Sequence, residues 1–194
     1  MMKQAILLTV LVTVIHTSHA RSPQAITFVN NSYGDSVLLK IPAPEELLQE
    51  IVNATGLHAD FELKAADVLN VQASISHRKR EILYNPEYID WINKLTRDKW
   101  SVMALLAHEV GHHLNGHTMR KGGSSPAVEL EADEFAGFIL YKLGASLEDA
   151  QKVMNYIAGI NASETHPGRT ARKDAIKKGW DKAADASLLE TSSR

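Results

Sequence analysis

The spacing of apolar residues predicts a short extended region followed by a long helical one. An unbroken run of apolar residues and threonine covers Ala5 to Ile15. The next stretch, Arg21 to Pro44, is rich in Ser, Pro, Asn and Gly and predicts an extended arm with one short strand, Val37 to Ile41. Pro44-Glu45-Glu46 opens a helix to about Ala54, with Leu47, Leu48 and Ile51 on one face and Gly56 ending it. Phe61 to Ile75 and Glu81 to Tyr84 read as strands, with His77-Arg78-Lys79-Arg80 as the solvated hairpin tip between them.

From there the period becomes helical. Asn85-Pro86 starts a helix carrying Tyr88, Ile89, Trp91, Ile92 and Leu95. Val102, Leu105, Leu106, Val110 and Leu114 recur at helical spacing over Lys99 to Leu114, with Gly116 as the stop. A Gly/Ser loop ends in Ser125-Pro126, an N-cap serine and N1 proline for a helix to Leu143 that ends at Gly144. Ser146 to Asp149 fits a capping box for a helix to about Ile160. After a loop from Asn161 to Pro167, a last helix ends near Gly179-Trp180, leaving Asp181 to Arg194 as a polar, flexible tail. The fold class expected is α+β, mostly helical, with a small antiparallel sheet. The expected divisions are 1–20, an arm over 21–44, one domain over 45–180 and a tail over 181–194.

The first division is an address. Lys3 stands ahead of the apolar run, and Ser18 and Ala20 form a small-x-small end behind it, which reads as a signal peptide cleaved after Ala20. Eleven residues are too few for a hydrocarbon core, which needs about 20. The chain is therefore expected to be exported, periplasmic or secreted, with no stable membrane insertion after cleavage.

Composition narrows the chemistry. The chain has 194 residues, 44% of them apolar and 23% charged, which excludes disordered, fibrous and multi-span membrane classes. With 21 Lys+Arg against 23 Asp+Glu and no long basic block, nucleic-acid binding has little electrostatic support. There is no cysteine, so any metal must be held by His, Asp or Glu, and histidine is well supplied at nine residues.

His108-Glu109-Val110-Gly111-His112 is H-E-x-x-H on a predicted helix. The i, i+4 spacing puts both imidazoles on one face, where they can share a tetrahedral metal, and Glu109 can reach a metal-activated water without being a ligand. Chance supplies roughly 0.03 such matches in a chain of this composition. A third ligand is needed. A histidine six residues after His112 would complete one known pattern, but Thr118 stands there. The next helix offers Glu129, with Asp133 on the same face to orient a ligand imidazole, whereas Glu131 and Glu134 point elsewhere. His113 and His117 lie about 100° round the helix from the ligand pair and read as bystanders.

These residues resemble a family. His108-Glu109-Val110-Gly111-His112 followed by Glu129-x-x-Ala132-Asp133 is similar to the gluzincin (zincin-like) metallopeptidases, and more narrowly to the group of HtpX, BepA and the CAAX prenyl endopeptidases. Thr165-His166-Pro167 with Arg172 six residues after the histidine resembles that group's Thr-His-Pro…Arg segment. The resemblance covers roughly Ala73 to Trp180. It implies a minimal metallopeptidase domain with one Zn2+ per chain on His108, His112 and Glu129. It further implies roles for Arg172 behind the ligands and for His166 at the metal, either as an oxyanion donor or as a fourth zinc ligand that closes the site.

The expected function is an exported zinc metalloendopeptidase that hydrolyses unfolded or extended polypeptide by a zinc-activated water, with Glu109 as general base and envelope protein quality control as the setting. The strand around Val71 to Ile75 is then the edge that pairs with extended substrate, an expectation that follows from the resemblance and the order along the chain. The alternative is a chaperone-like or scaffold module whose zinc is closed by His166 and turns over little. The sequence describes no specificity pocket.

Overall fold

Proline fixes the start of the first helix and glycine its end. Pro44 is the first residue of α1 (Pro44–Thr55), Glu45 and Glu46 complement its positive end, and Leu47, Leu48 and Ile51 are buried. Gly56 closes it at φ +69°, its N–H on the Asn53 carbonyl. The computed structural model describes residues 26–30, 36–58, 61–120 and 124–192. The signal segment expected over 1–20 lies outside the described residues, as do the final residues 193 and 194.

Ahead of α1 the arm carries two strands rather than one. β1 (Ile26–Asn30) pairs antiparallel with β2 (Ser36–Lys40), Ile26 opposite Lys40. The added strand, Ile-Thr-Phe-Val-Asn, is rich in β-branched and aromatic residues, which suit pleated backbone.

The run expected as one long strand is two. β3 (Phe61–Ala65) and β4 (Val71–Ser76) are separated by a reversal at 66–70 that contains neither Gly nor Pro and so carries a weak turn signature. β5 (Lys79–Tyr84) lies between them in the order β3-β5-β4. It is antiparallel to β4 but parallel to β3, so the three-stranded sheet is mixed and not antiparallel as expected. The hairpin tip is shorter than the sequence suggests. His77 and Arg78, at φ 50° and 66°, make the two-residue turn with both φ positive that matches strand twist, and Lys79 pairs with Ser76. Asn85 ties the sheet to the second helix: its amide donates to the Val68 carbonyl, and its Oδ1 caps α2 (Pro86–Thr96).

α3 (Lys99–Leu114) is buried on every side from Ser101 to His108, capped by Asp98 on the Ser101 N–H at 2.9 Å. A helix this apolar all round belongs in the middle of a core. It packs against β4, α1 and α4 (Pro126–Lys142). Ser125 precedes α4 in extended conformation, but its hydroxyl caps nothing. The helix expected from Ser146 to Ile160 is broken at Val153 into α5 (Leu147–Lys152) and α6 (Met154–Ile157), and Ser146 does cap α5 on the Asp149 N–H.

The last helix, α7 (Arg169–Ser192), runs through Gly179 and takes in what was expected to be a frayed tail. Gly179 is a point of close approach and not a stop. α4 and α7 cross through two glycines, Gly137 facing the Ile176 main chain and Gly179 facing that of Glu134. This crossing sets the distance between α4 and α7, and so the reach of side chains between them. The whole is α+β and mostly helical, and among the described residues no helix is long and apolar enough to cross a membrane.

Candidate metal centre

Two helices bring the predicted ligands together. α3 presents His108 and His112 one turn apart, and α4, packed across it, presents Glu129. The Nε2 atoms of the two histidines are 3.0 Å apart. Glu129 places Oε2 3.4 Å from His108 Nε2 and Oε1 3.5 Å from His112 Nε2. Zn–N and Zn–O bonds of about 2.0–2.1 Å at tetrahedral angles put neighbouring donors about 3.3 Å apart. The imidazole separation and the nearer Glu129 oxygen to each ring are close to that spacing, so the group could hold a metal ion.

Each of these three donor residues has a partner behind it. His108 Nδ1 lies 2.9 Å from Asp133 Oδ1, so Nδ1–H donates to the carboxylate and Nε2 faces the ligand group. Arg172 from α7 holds Asp133 with two charge-assisted bonds of 2.7 Å, Nε to Oδ2 and Nη2 to Oδ1. Asp133 is fully buried, and Arg172 nearly so. The Ser124 hydroxyl donates to Glu129 Oε1. Glu109 stands beside the group, its Oε2 accepting from the Ala73 N–H of β4 at 2.6 Å.

His117 and Glu131 join this arrangement against expectation. α3 stops at Leu114, and Gly116, at φ +70°, turns the chain into a short 3-10 helix, His117–Met119. That turn takes His117 off the helical projection and back beside His112, with the two Nδ1 atoms 3.1 Å apart. His117 Nε2 in turn lies 2.8 Å from Glu131 Oε2. Spacing along an ideal helix concealed this; the glycine that ends the helix was the available signal. His113 faces the sheet, its Nε2 3.0 Å from the Glu81 carbonyl, and takes no part in the site.

His166 lines the same cleft of about 600 Å³ but is exposed, and its donor atoms are not among those that converge. Its Nδ1 is 2.8 Å from the Thr165 hydroxyl, and its N–H donates to Ser163 Oγ. β4, one of the two edge strands of the sheet, contributes Val71, Gln72 and Ala73 to the lining.

Charges in the metal-free site follow from burial and pairing. Burial alone would depress His108, but Asp133 by charge and hydrogen bond, helped by Glu129, lifts it to about 10. Burial and then the positive His108 push His112 down to about 4. Glu109 is raised to about 7 by burial, against the pull of His108 and the Ala73 N–H. Burial would raise both Glu129 and Asp133, yet each is held below the ordinary carboxylate range, Glu129 chiefly by His108 and Asp133 chiefly by Arg172. The His108 Nε2 proton thus sits among the three donor groups, where a cation would replace it.

Comparison with known proteins finds no matching family model, curated protein or solved structure.

Proposed function

We propose that the chain is an exported zinc-dependent endopeptidase acting on extended or unfolded polypeptide. The observation that carries this reading is Glu109: a half-buried carboxylate beside a His-His-Glu donor set, lining an open cleft bordered by an edge strand. A site that only holds a metal for structure has no use for a base in that place. The donor set suits zinc, with two imidazoles, one carboxylate and no thiolate. Resemblance to the gluzincin metallopeptidases points the same way.

His108, His112 and Glu129 would hold the ion, and the ion when bound would polarise the scissile carbonyl and acidify a water. Glu109, whose Oε2 stands beside the donor set, would take the proton from that water and pass it to the leaving amine. The edge of β4 gives extended substrate a main-chain partner, and Ala73 places that edge directly against Glu109. His166, exposed among the residues that line the cleft, would approach substrate bound there. The alternative, a module closed by His166, requires that side chain to leave Thr165 and enter the donor group.

The test is cleavage of an unfolded-protein substrate by the zinc-loaded chain beside Glu109→Gln. Loss of about 10²- to 10⁴-fold in turnover with zinc still bound is the expected result. Equal cleavage by both, or none by the wild type with one zinc bound, overturns the proposal.

A further inference from the structure

We infer that His117 and Glu131 are positioning residues that fix the tautomer and orientation of His112. The inference rests on the reading of His108, His112 and Glu129 as metal ligands.

The argument is a proton count along three contacts. A carboxylate oxygen only accepts, so Glu131 Oε2 at 2.8 Å requires a proton on His117 Nε2. A neutral imidazole protonated at Nε2 offers Nδ1 as an acceptor. Between His117 Nδ1 and His112 Nδ1, 3.1 Å apart, there is room for one proton, and with His117 in this neutral form it belongs to His112. His112 is left with a lone pair on Nε2, the atom that faces His108 and Glu129. The opposite tautomer would turn an N–H toward the metal position and prevent ligation.

Burial gives the contact weight. The His117 side chain is 3% exposed, while that of Glu131 is 53% exposed. The buried imidazole thus carries the hydrogen-bond requirement of His112 outward to a carboxylate at the surface. The two ligand histidines are held by different devices: His108 directly by a carboxylate locked to Arg172, His112 through a second imidazole. In the metal-free chain the contacts form one directed series. His112 Nδ1–H donates to His117, and His117 Nε2–H to Glu131.

The test uses the full chain and zinc alone. Competition with a chromogenic chelator gives the zinc Kd of wild type, His117→Phe, His117→Asn and Glu131→Leu. Long-range 1H–15N spectra of the metal-free wild type report the tautomers. His117→Phe is expected to weaken zinc binding about 10- to 100-fold. His117→Asn, whose Oδ1 can accept in place of Nδ1, is expected to recover most of that loss, and the spectra to show His112 protonated at Nδ1 and His117 at Nε2. Glu131→Leu alters a half-exposed side chain, so it tests the relay even if His117→Phe does not fold, and it too should weaken zinc binding. Unchanged zinc affinity in His117→Phe or in Glu131→Leu, or the opposite tautomers, overturns the inference alone. A wild type that takes up no zinc overturns the metal reading and this inference together.

Discussion

Gly179 of α7 packs on the main chain of Glu134 in α4 so closely that a Cβ at 179 would stand 1.8 Å from the Glu134 carbonyl oxygen. Its counterpart Gly137 leaves a Cβ the same lack of room, 1.9 Å from the Ile176 carbonyl oxygen. The pair brings α7 near enough to α4 for Arg172 to reach Asp133.

Gly179→Ala should therefore destabilise the protein, although helix propensity alone favours alanine by about 1 kcal/mol. Overpacking costs about 1–3 kcal/mol where side chains can yield, and here the atoms met are backbone, so the upper end of that range is expected. Thermal unfolding of Gly179→Ala and Gly137→Ala checks this. A stabilised Gly179→Ala would mean that α7 does not approach α4 this closely.

Arg172→Leu should cost about 3 kcal/mol in the metal-free chain. Removing one partner of a buried ion pair typically costs about 3–5 kcal/mol because the other charge stays buried. The low end applies because protonated His108 still faces Asp133 at 2.9 Å. Denaturant unfolding after chelation measures it, and a loss under about 1 kcal/mol would show that His108 alone suffices for Asp133.

The ligand trio was legible because its spacing lies within regular helices. His108 and His112 fall four apart inside α3, and Glu129 and Asp133 four apart inside α4, so local periodicity fixed which side chains share a face. What escaped the sequence lay where periodicity stops. His117 was projected along a helix that ends at Leu114, and the Gly116 turn carried it to His112 instead. Gly179 reads as a stop because a glycine needed for packing and one that ends a helix look alike in a single sequence. The mixed sheet was missed because strand order is set by long-range pairing, and the reversal between β3 and β4 has no Gly or Pro to announce it.

Zinc uptake should be coupled to the loss of the His108 proton. In the metal-free chain that pKa is raised from 6.5 to about 10, against burial, mainly by Asp133. A raised folded-state pKa gives a stabilising contribution that is complete below 6.5 and lost as pH climbs through about 10. Glu109, raised by burial from 4.5 to about 7, acts in the same direction at lower pH, its contribution complete below 4.5 and lost through 7. The chelated chain should accordingly melt at a lower temperature at pH 9 than at pH 6. Zinc must displace the His108 proton, so its apparent affinity should rise about tenfold per pH unit between pH 7 and 9. Titration calorimetry at pH 7 in buffers of different ionisation enthalpy should report the release of about one proton from His108. Calorimetry that shows no proton release, with zinc affinity flat from pH 7 to 9, would mean that His108 is already neutral before the metal arrives. Asp133 would then have Arg172 as its one charged partner, and the cost of Arg172→Leu should rise accordingly.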